Sequence, residues 1–464
     1  MGKKQNTIVI DEKTPLLILA GPMFLELLLN TMLNNVDMLM LSHYDEYAVG
    51  AVGNANTIMF MMMILFNVIA TATSVVVAQY LGAKRYDKMN MIYTLAVTVN
   101  LVVGIVLSGA FCAANPLIMD FLHVSPEMRP YSMIYIYIVG GGGFLMAVFN
   151  VMLQILRCNG YPKIGMWVTF AINIINIGGN YLFLYGPLKF MNMGVAGVAI
   201  STVVARVIAV VVVFAFFFAA KIGKISVRYL KPFPGRLLGK MIKIGLPTAG
   251  ENLTYNLYQT TLLSFVNAMG NDAVNARAYC NTLISFAMIF SNACAMSTQI
   301  ITGHLVGAGK SEEAYKRVFR TLMTSMPITI MLATFNALIC KYTLHIFTEN
   351  EHIIALGQMI MIVDIFIEAG RCLNMTFVSS LKAAGAYVFP LIMGILCNWG
   401  LGLVTGYIVG VACGVGVAGI YAGTATDECI RGLIVMYYWY KKKWFGKSVV
   451  DKRNVLEIEQ EKTG

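Results

Sequence analysis

The chain has 464 residues, 58% of them hydrophobic and 12% charged, and a formal net charge of +11. So apolar a composition leaves too little polar surface to cover a soluble globule of this length, which excludes a soluble enzyme or binding domain and leaves an integral membrane protein. A nucleic-acid partner would call for a basic domain laced with aromatic residues, and the chain carries none, so the excess of bases needs another origin.

The polar start, "MGKKQNTIVIDEK", is followed by an apolar stretch of full spanning length with no small-residue cleavage site, so no cleaved signal peptide is expected. The first span, near 16–41, holds "GPMFLELLLNTMLNNVDMLM". Glu26, Asn30, Asn34 and Asp37 fall on one stripe of that helix, with the carboxylates about 16 Å apart. Acids in a membrane helix are costly and normally face a cavity or a partner, where a carboxylate either exchanges a proton or holds a cation with neighbouring oxygens. For Glu26, near a helix end, contact with interfacial water is the other reading.

Roughly 20 apolar residues cross the hydrocarbon layer, and by that criterion eleven more spans follow. They lie near 54–81, 92–114, 131–153, 164–185, 194–220, 244–267, 276–303, 318–345, 353–379, 388–410 and 416–440. Stretches such as "IMFMMMILFNVIATATSVVVA" and "VIAVVVVFAFFFAA" are apolar all round, whereas a barrel would show runs of about ten alternating residues. The fourth holds "VGGGGF" (Gly140–Gly143), which suits close packing or a bend and not phosphate binding, since no P-loop lysine follows. The sixth carries Arg206, for which no partner is evident. In the seventh, Glu251, Tyr255 and Gln259 repeat the stripe of the first span, and these form a candidate substrate cleft. The tenth carries Asp364, Glu368 and Arg371 within one sector of the helix, and these are counted with the candidate substrate cleft. Either Arg371 neutralises both acids and the cluster is structural, or one acid is left over as a second proton site. In the twelfth, Arg431 reaches Asp427 and Glu428 at i+4 and i+3 spacing.

Lysine and arginine collect on one side of the spans, in the N-terminus, "AKRYDK", "RCNGYPK", "KIGKISVRYLKPFPGRLLGKMIK", "GKSEEAYKR", "LKAAG" and the tail. The positive-inside bias then makes both termini cytoplasmic in a plasma (inner) membrane and accounts for the net charge. Sliding the sequence by 225 positions superimposes Pro22 on Pro247, Glu26 on Glu251, Asn56–Thr57 on Asn281–Thr282 and Gly160 on Gly385. The fold class is therefore an all-α polytopic membrane protein, with twelve transmembrane helices in two parallel-repeat six-helix bundles. The expected divisions are an N-terminal bundle (1–220), a basic linker (221–243), a C-terminal bundle (244–440) and a basic tail (441–464). A duplicated bundle with a binding cavity between its copies suits alternating access, the geometry of a transporter.

"VDMLMLSHYDEYAVGAVG", "QYLGAKRYDKMN", "INIGGNYLFLYG", "GVAGVAISTVVAR" and "VGAGKSEEAY" resemble the multidrug and toxic compound extrusion (MATE) transporters, in the same order and over nearly the whole chain. The resemblance implies a two-lobed antiporter that expels organic cations in exchange for protons or sodium ions. It matches the first-helix acid of the family to Asp37 and carries the first-lobe cation site to Asn180 and Thr202, with Asn176 close by. Any sodium would sit at Asp37 and Asn180. Leu184 stands where some members have a second Asp, and Tyr255 where many have an acid. The expected partners are small organic cations and the bilayer, and the expected state is a monomer. The alternative within transport is a flippase for a lipid-linked precursor. The nine cysteines lie singly and the five histidines apart, so no resident metal, cofactor or enzymatic centre is expected.

Overall fold

The computed structural model describes residues 10–450 apart from 43, 45, 122, 188 and 192, and only the backbone of 34, 35, 46 and 189. The side chain of Asn34, the first nine residues and the tail beyond Val450 therefore lie outside the described residues. The described residues form twelve helical rods. They are α1 (Leu16–Ser42), α2 (Glu46–Gly82), α3 (Met89–Phe121), α4 (Arg129–Gly140 with Gly143–Cys158), α5 (Pro162–Leu184), α6 (Gly194–Ala219), α7 (Gly235–Asn267), α8 (Asn271–Gly307), α9 (Ser311–Leu344), α10 (Glu351–Ala383), α11 (Val388–Ala412) and α12 (Val417–Tyr440). Nine are long and apolar enough to span on their own, and the two pieces of α4 make a tenth. α7 and α12 fall short because their inward faces carry Glu251, Tyr255, Gln259, Asp427, Glu428 and Arg431. Their polarity serves the interior of the bundle and not the lipid.

The rods outrun the apolar limits read from the sequence. α7 begins at Gly235, directly after Pro234, because the helix propagates through "GRLLGKMIK" once Pro has fixed its first turn. The loop before it is tied to α3, where Lys224 N–H donates to Asn90 Oδ1 at 2.8 Å. α4 bends by 45° at the four glycines, with the Gly141 N–H reaching back five residues to Ile136 O. A Cβ on Gly143 would stand 2.8 Å from Ser108 Oγ and 3.0 Å from Met62 Cε, so bend and close packing occur together.

Two compact units emerge. The first comprises Leu25–Val77 and Arg85–Gly245. In it α3 packs on α4 and α5 on α6, around a core that includes Leu41, Val52, Ile136, Val139 and Val198. The second comprises Ile10–Phe24, Ala78–Lys84 and the chain from Leu246 on. There α10 is the central rod, packed by α8, α9 and α12, with Tyr258, Leu262, Ile284, Ile360 and Ile420 in its core. The end of α2 crosses α8 in this unit. A Cβ on Gly82 would run into the backbone of His304, and one on Gly307 into the backbone of Gln79. Positions 82 and 307, like 79 and 304, are related by the 225-residue offset, so the crossing is symmetric under the repeat. Gly160 and Gly385, another such pair, both take left-handed φ, +89° and +90°, at the turns that follow α4 and α10.

Candidate functional site

In the first unit α1, α5 and α6 bring together four of the five residues expected to couple a cation. Asn180 Nδ2 donates to Asp37 Oδ1 at 2.7 Å and to Asn176 Oδ1 at 3.1 Å. Asn176 Nδ2 donates to Thr202 Oγ1 at 3.0 Å, and Thr202 closes the chain on Val198 O. α5 supplies Asn173, Asn176 and Asn180 at helical spacing, so one face of it is an amide ladder aimed at α1 and α6. Asn173 also donates to Leu29 O at 2.8 Å and Tyr185 OH to Met40 O at 2.5 Å, which fastens α1 along much of its length. Asn176 and Asn180 are buried, while Asp37 and Thr202 are half-buried.

Arg206 has no evident partner in the sequence, and the structure gives it an electrostatic one. It lies one turn beyond Thr202 on the same face of α6, where its charge acts on Asp37 and Tyr135 without a salt bridge to either among the described residues. The i+4 spacing of Thr202 and Arg206 was the signal that could have placed it.

Glu26 does not join this group. Arg157 Nη2 lies 2.5 Å from Glu26 Oε1, with the side chains 6% and 2% exposed. A Cβ on Gly165 would approach Glu26 Oε2 at 2.5 Å, so only glycine leaves room there for the carboxylate. Glu251 meets the same fate, with Lys382 Nζ 2.8 Å from its Oε2. The offset of 225 takes Glu26 to Glu251 and Arg157 to Lys382, so each copy holds one buried ion pair in the same place. That is the answer the structure gives for both acids: each is held by a base of the same unit. Asn30, between Glu26 and Asp37 on the expected stripe, is exposed.

The remaining charges of the second unit lie on α10 and α12. Arg371 pairs with Glu368 and stands 3.9 Å from Glu428. Arg431 meets Asp427 Oδ2 at 3.1 Å and Glu428 Oε2 at 3.0 Å, and Asn374 donates to the same Glu428 oxygen. Asp364 is left over: it is 1% exposed, and neither carboxylate oxygen has a hydrogen-bond partner among the described residues. It lines a cavity of about 250 Å³ together with Tyr255, Gln259, Arg277, Asn281, Arg371 and Tyr421. Tyr255 accepts from Gln259 Nε2 at 3.0 Å and Tyr421 donates to Asn281 Oδ1 at 3.0 Å, so the wall is ordered by its own polar contacts. Of the expected cleft residues, Tyr255, Gln259, Asp364 and Arg371 share this cavity, and Glu251 and Glu368 stay in their ion pairs. Arg277, Asn281 and Tyr421 were not foreseen, although Arg277 and Asn281 stand at i+4 spacing on α8 and that spacing was the signal that could have placed them; Tyr421 comes from α12, far away in the chain.

The family model MatE matches the chain twice, over residues 22–182 and 247–408, starting points that reproduce the 225-residue offset. The chain belongs to the MATE family. Over 95% of its length this MATE protein is 32% identical to the uncharacterized transporter YisQ of Bacillus subtilis, 96% of which is covered. It is 23% identical to the probable multidrug resistance protein NorM of Thermotoga maritima, over 97% of each chain. Among solved structures, a MOP superfamily transporter from Pyrococcus furiosus superposes with a TM-score of 0.87 at 18% identity, covering 95% of this chain and 98% of the other. The protein is thus a multi-pass membrane transporter of a duplicated helical fold, in a family of transporters and not of enzymes.

Proposed function

We propose that this protein exports small organic cations in exchange for protons, with Asp37 as the group that takes up and returns the proton. The observation that carries the reading is the Asp37–Asn180–Asn176–Thr202 chain. Asp37 spends one oxygen on the Asn180 amide, and its other oxygen has no partner among the described residues, so a proton has a place to go. A proton needs one such oxygen, whereas a sodium ion needs several converging on it; here the amide directs N–H, not oxygen, at the carboxylate. The charge of Arg206 nearby also opposes a second fixed cation.

Protonation of Asp37 weakens the charge-assisted bond that joins α1 to α5. Coupling follows if the protonated and the substrate-bound forms favour different conformations by a few kcal/mol. In the second unit, Asp364 with Tyr255 and Gln259 offers an anion and an aromatic ring to a cationic substrate. A flippase for a lipid-linked pyrophosphate would want a surplus of bases, but Lys382, Arg371 and Arg431 each face an acid, which supports the cation reading. The one-sided collection of bases supports cytoplasmic termini in the plasma membrane, and each chain, holding both copies, is read as a monomer.

The test of the ion is efflux of ethidium in proteoliposomes under an imposed pH gradient or an imposed sodium gradient. The pH gradient alone is expected to drive it; transport that follows the sodium gradient and ignores pH rejects proton coupling.

A further inference from the structure

A second feature of the molecule lies away from both charged sites, where the chain ahead of α1 meets α9. Arg317 is 6% exposed, yet it forms no salt bridge among the described residues. Its Nη1 donates to Glu12 O at 2.8 Å and its Nη2 to Thr14 O at 2.7 Å, while Nε has no partner among the described residues. The nearby carboxylate of Asp11 is occupied locally, accepting from Lys13 N–H and Thr14 Oγ1 at 3.0 Å each. Lys13 and Arg320 are exposed, and neither side chain has an ion-pair partner among the described residues. A buried guanidinium held only by carbonyls keeps its full charge, and two further bases beside it leave a local excess that an anion would offset.

These three bases line one end of a groove of about 430 Å³. Its walls change character along α9. Thr324 follows one turn below Arg320 and Ile328 lies one turn further, and Leu17 and Phe290 also line the groove. From Arg317 to Ile328 the groove runs about 16 Å along the helix, from cationic through hydroxyl-bearing to apolar. That order, charge then weakly polar then hydrocarbon, is the order of groups in a phospholipid: phosphate, glycerol esters, acyl chain. Leu17, 59% exposed, presents an apolar surface that no part of the described unit covers.

We propose that this groove is a binding site for one anionic phospholipid, with its phosphate among Lys13, Arg317 and Arg320 and an acyl chain along Leu17, Phe290 and Ile328. Bases clustered at a membrane interface attract anionic lipid generally. The buried, unneutralised Arg317 at the head of an apolar groove makes this a fixed site and not a diffuse one. The bound lipid would join the segment before α1 to α9 and so stabilise that end of the second unit.

The experiment uses the full chain in detergent, with dioleoyl-phosphatidylglycerol, dioleoyl-phosphatidylcholine or inorganic phosphate added. Retained lipid is read by native mass spectrometry and stability by thermal unfolding. Phosphatidylglycerol is expected to be retained over phosphatidylcholine and to raise the melting temperature. The K13Q/R320Q variant, altered only at exposed side chains, is expected to melt as the parent does in phosphatidylcholine and to bind phosphatidylglycerol about tenfold more weakly. I328N is expected to weaken retention with all three bases in place. Equal phosphatidylglycerol binding by parent and K13Q/R320Q overturns the site. An equal stabilisation by inorganic phosphate alone overturns the lipid as its occupant.

Discussion

Asp37 and Glu26 lie on the same helix and are the same kind of group, but their surroundings give them different work. Glu26 faces a full positive charge at 2.5 Å, and removing one member of such a buried pair leaves the other uncompensated, at a cost of about 3–5 kcal/mol. Glu26→Ala or Glu251→Ala is therefore expected to lower the melting temperature sharply. The double change Glu26→Leu with Arg157→Met should recover most of the loss, and a double variant as unstable as the single one contradicts a pair that serves structure alone. Asp364 is the opposite case, a carboxylate with neither a bonded base nor a bonded amide among the described residues. Asp364→Asn is expected to raise the KM for a cationic substrate by about tenfold, the scale of one charge-assisted contact, with the fold unchanged by thermal melting. An unchanged KM removes Asp364 from the substrate cavity.

At the level of helices, the molecule depends on positions where two backbones meet. The crossing of α2 and α8 leaves no room for a side chain at Gly82 or Gly307, since each faces the other rod's backbone. Gly82→Val and Gly307→Val are both expected to abolish expression of folded protein, and because the crossing is symmetric the two should be about equally harmful. A large difference between them, read by size-exclusion profile, contradicts that symmetry. Gly160→Ala is milder, forcing a left-handed residue at a cost of order 1 kcal/mol and a correspondingly small fall in melting temperature, whereas Gly385→Ala is expected to be more harmful than that, since its Cβ would also run into the backbone carbonyl of Lys447.

The whole molecule was legible in the sequence to an uneven degree. The rods and the duplication could be read because apolar length and a gap-free offset survive divergence, and the family matches at 22 and 247 repeat that offset. The Asp37, Asn176, Asn180 and Thr202 group came from family resemblance, since three helices far apart in the chain supply it and no local spacing unites them. The Glu26–Arg157 pair was missed although its signal was present. Residue 157 sat in a stretch counted only as loop charge, and its counterpart Lys382 was never set beside Glu251. Asp364 could be singled out only conditionally, because which acid Arg371 leaves unpaired depends on Arg431 and Asn374 reaching Glu428 from their own helices.

The measurement closest to the central claim is proton release on substrate binding. Ethidium is added to purified protein in weakly buffered detergent solution and the pH change recorded. About one proton per bound ethidium is expected from the parent, and none from Asp37→Asn, which should still bind, because substrate and proton occupy the protein in turn. Equal proton release by the parent and by Asp37→Asn would contradict the assignment of the exchange to Asp37.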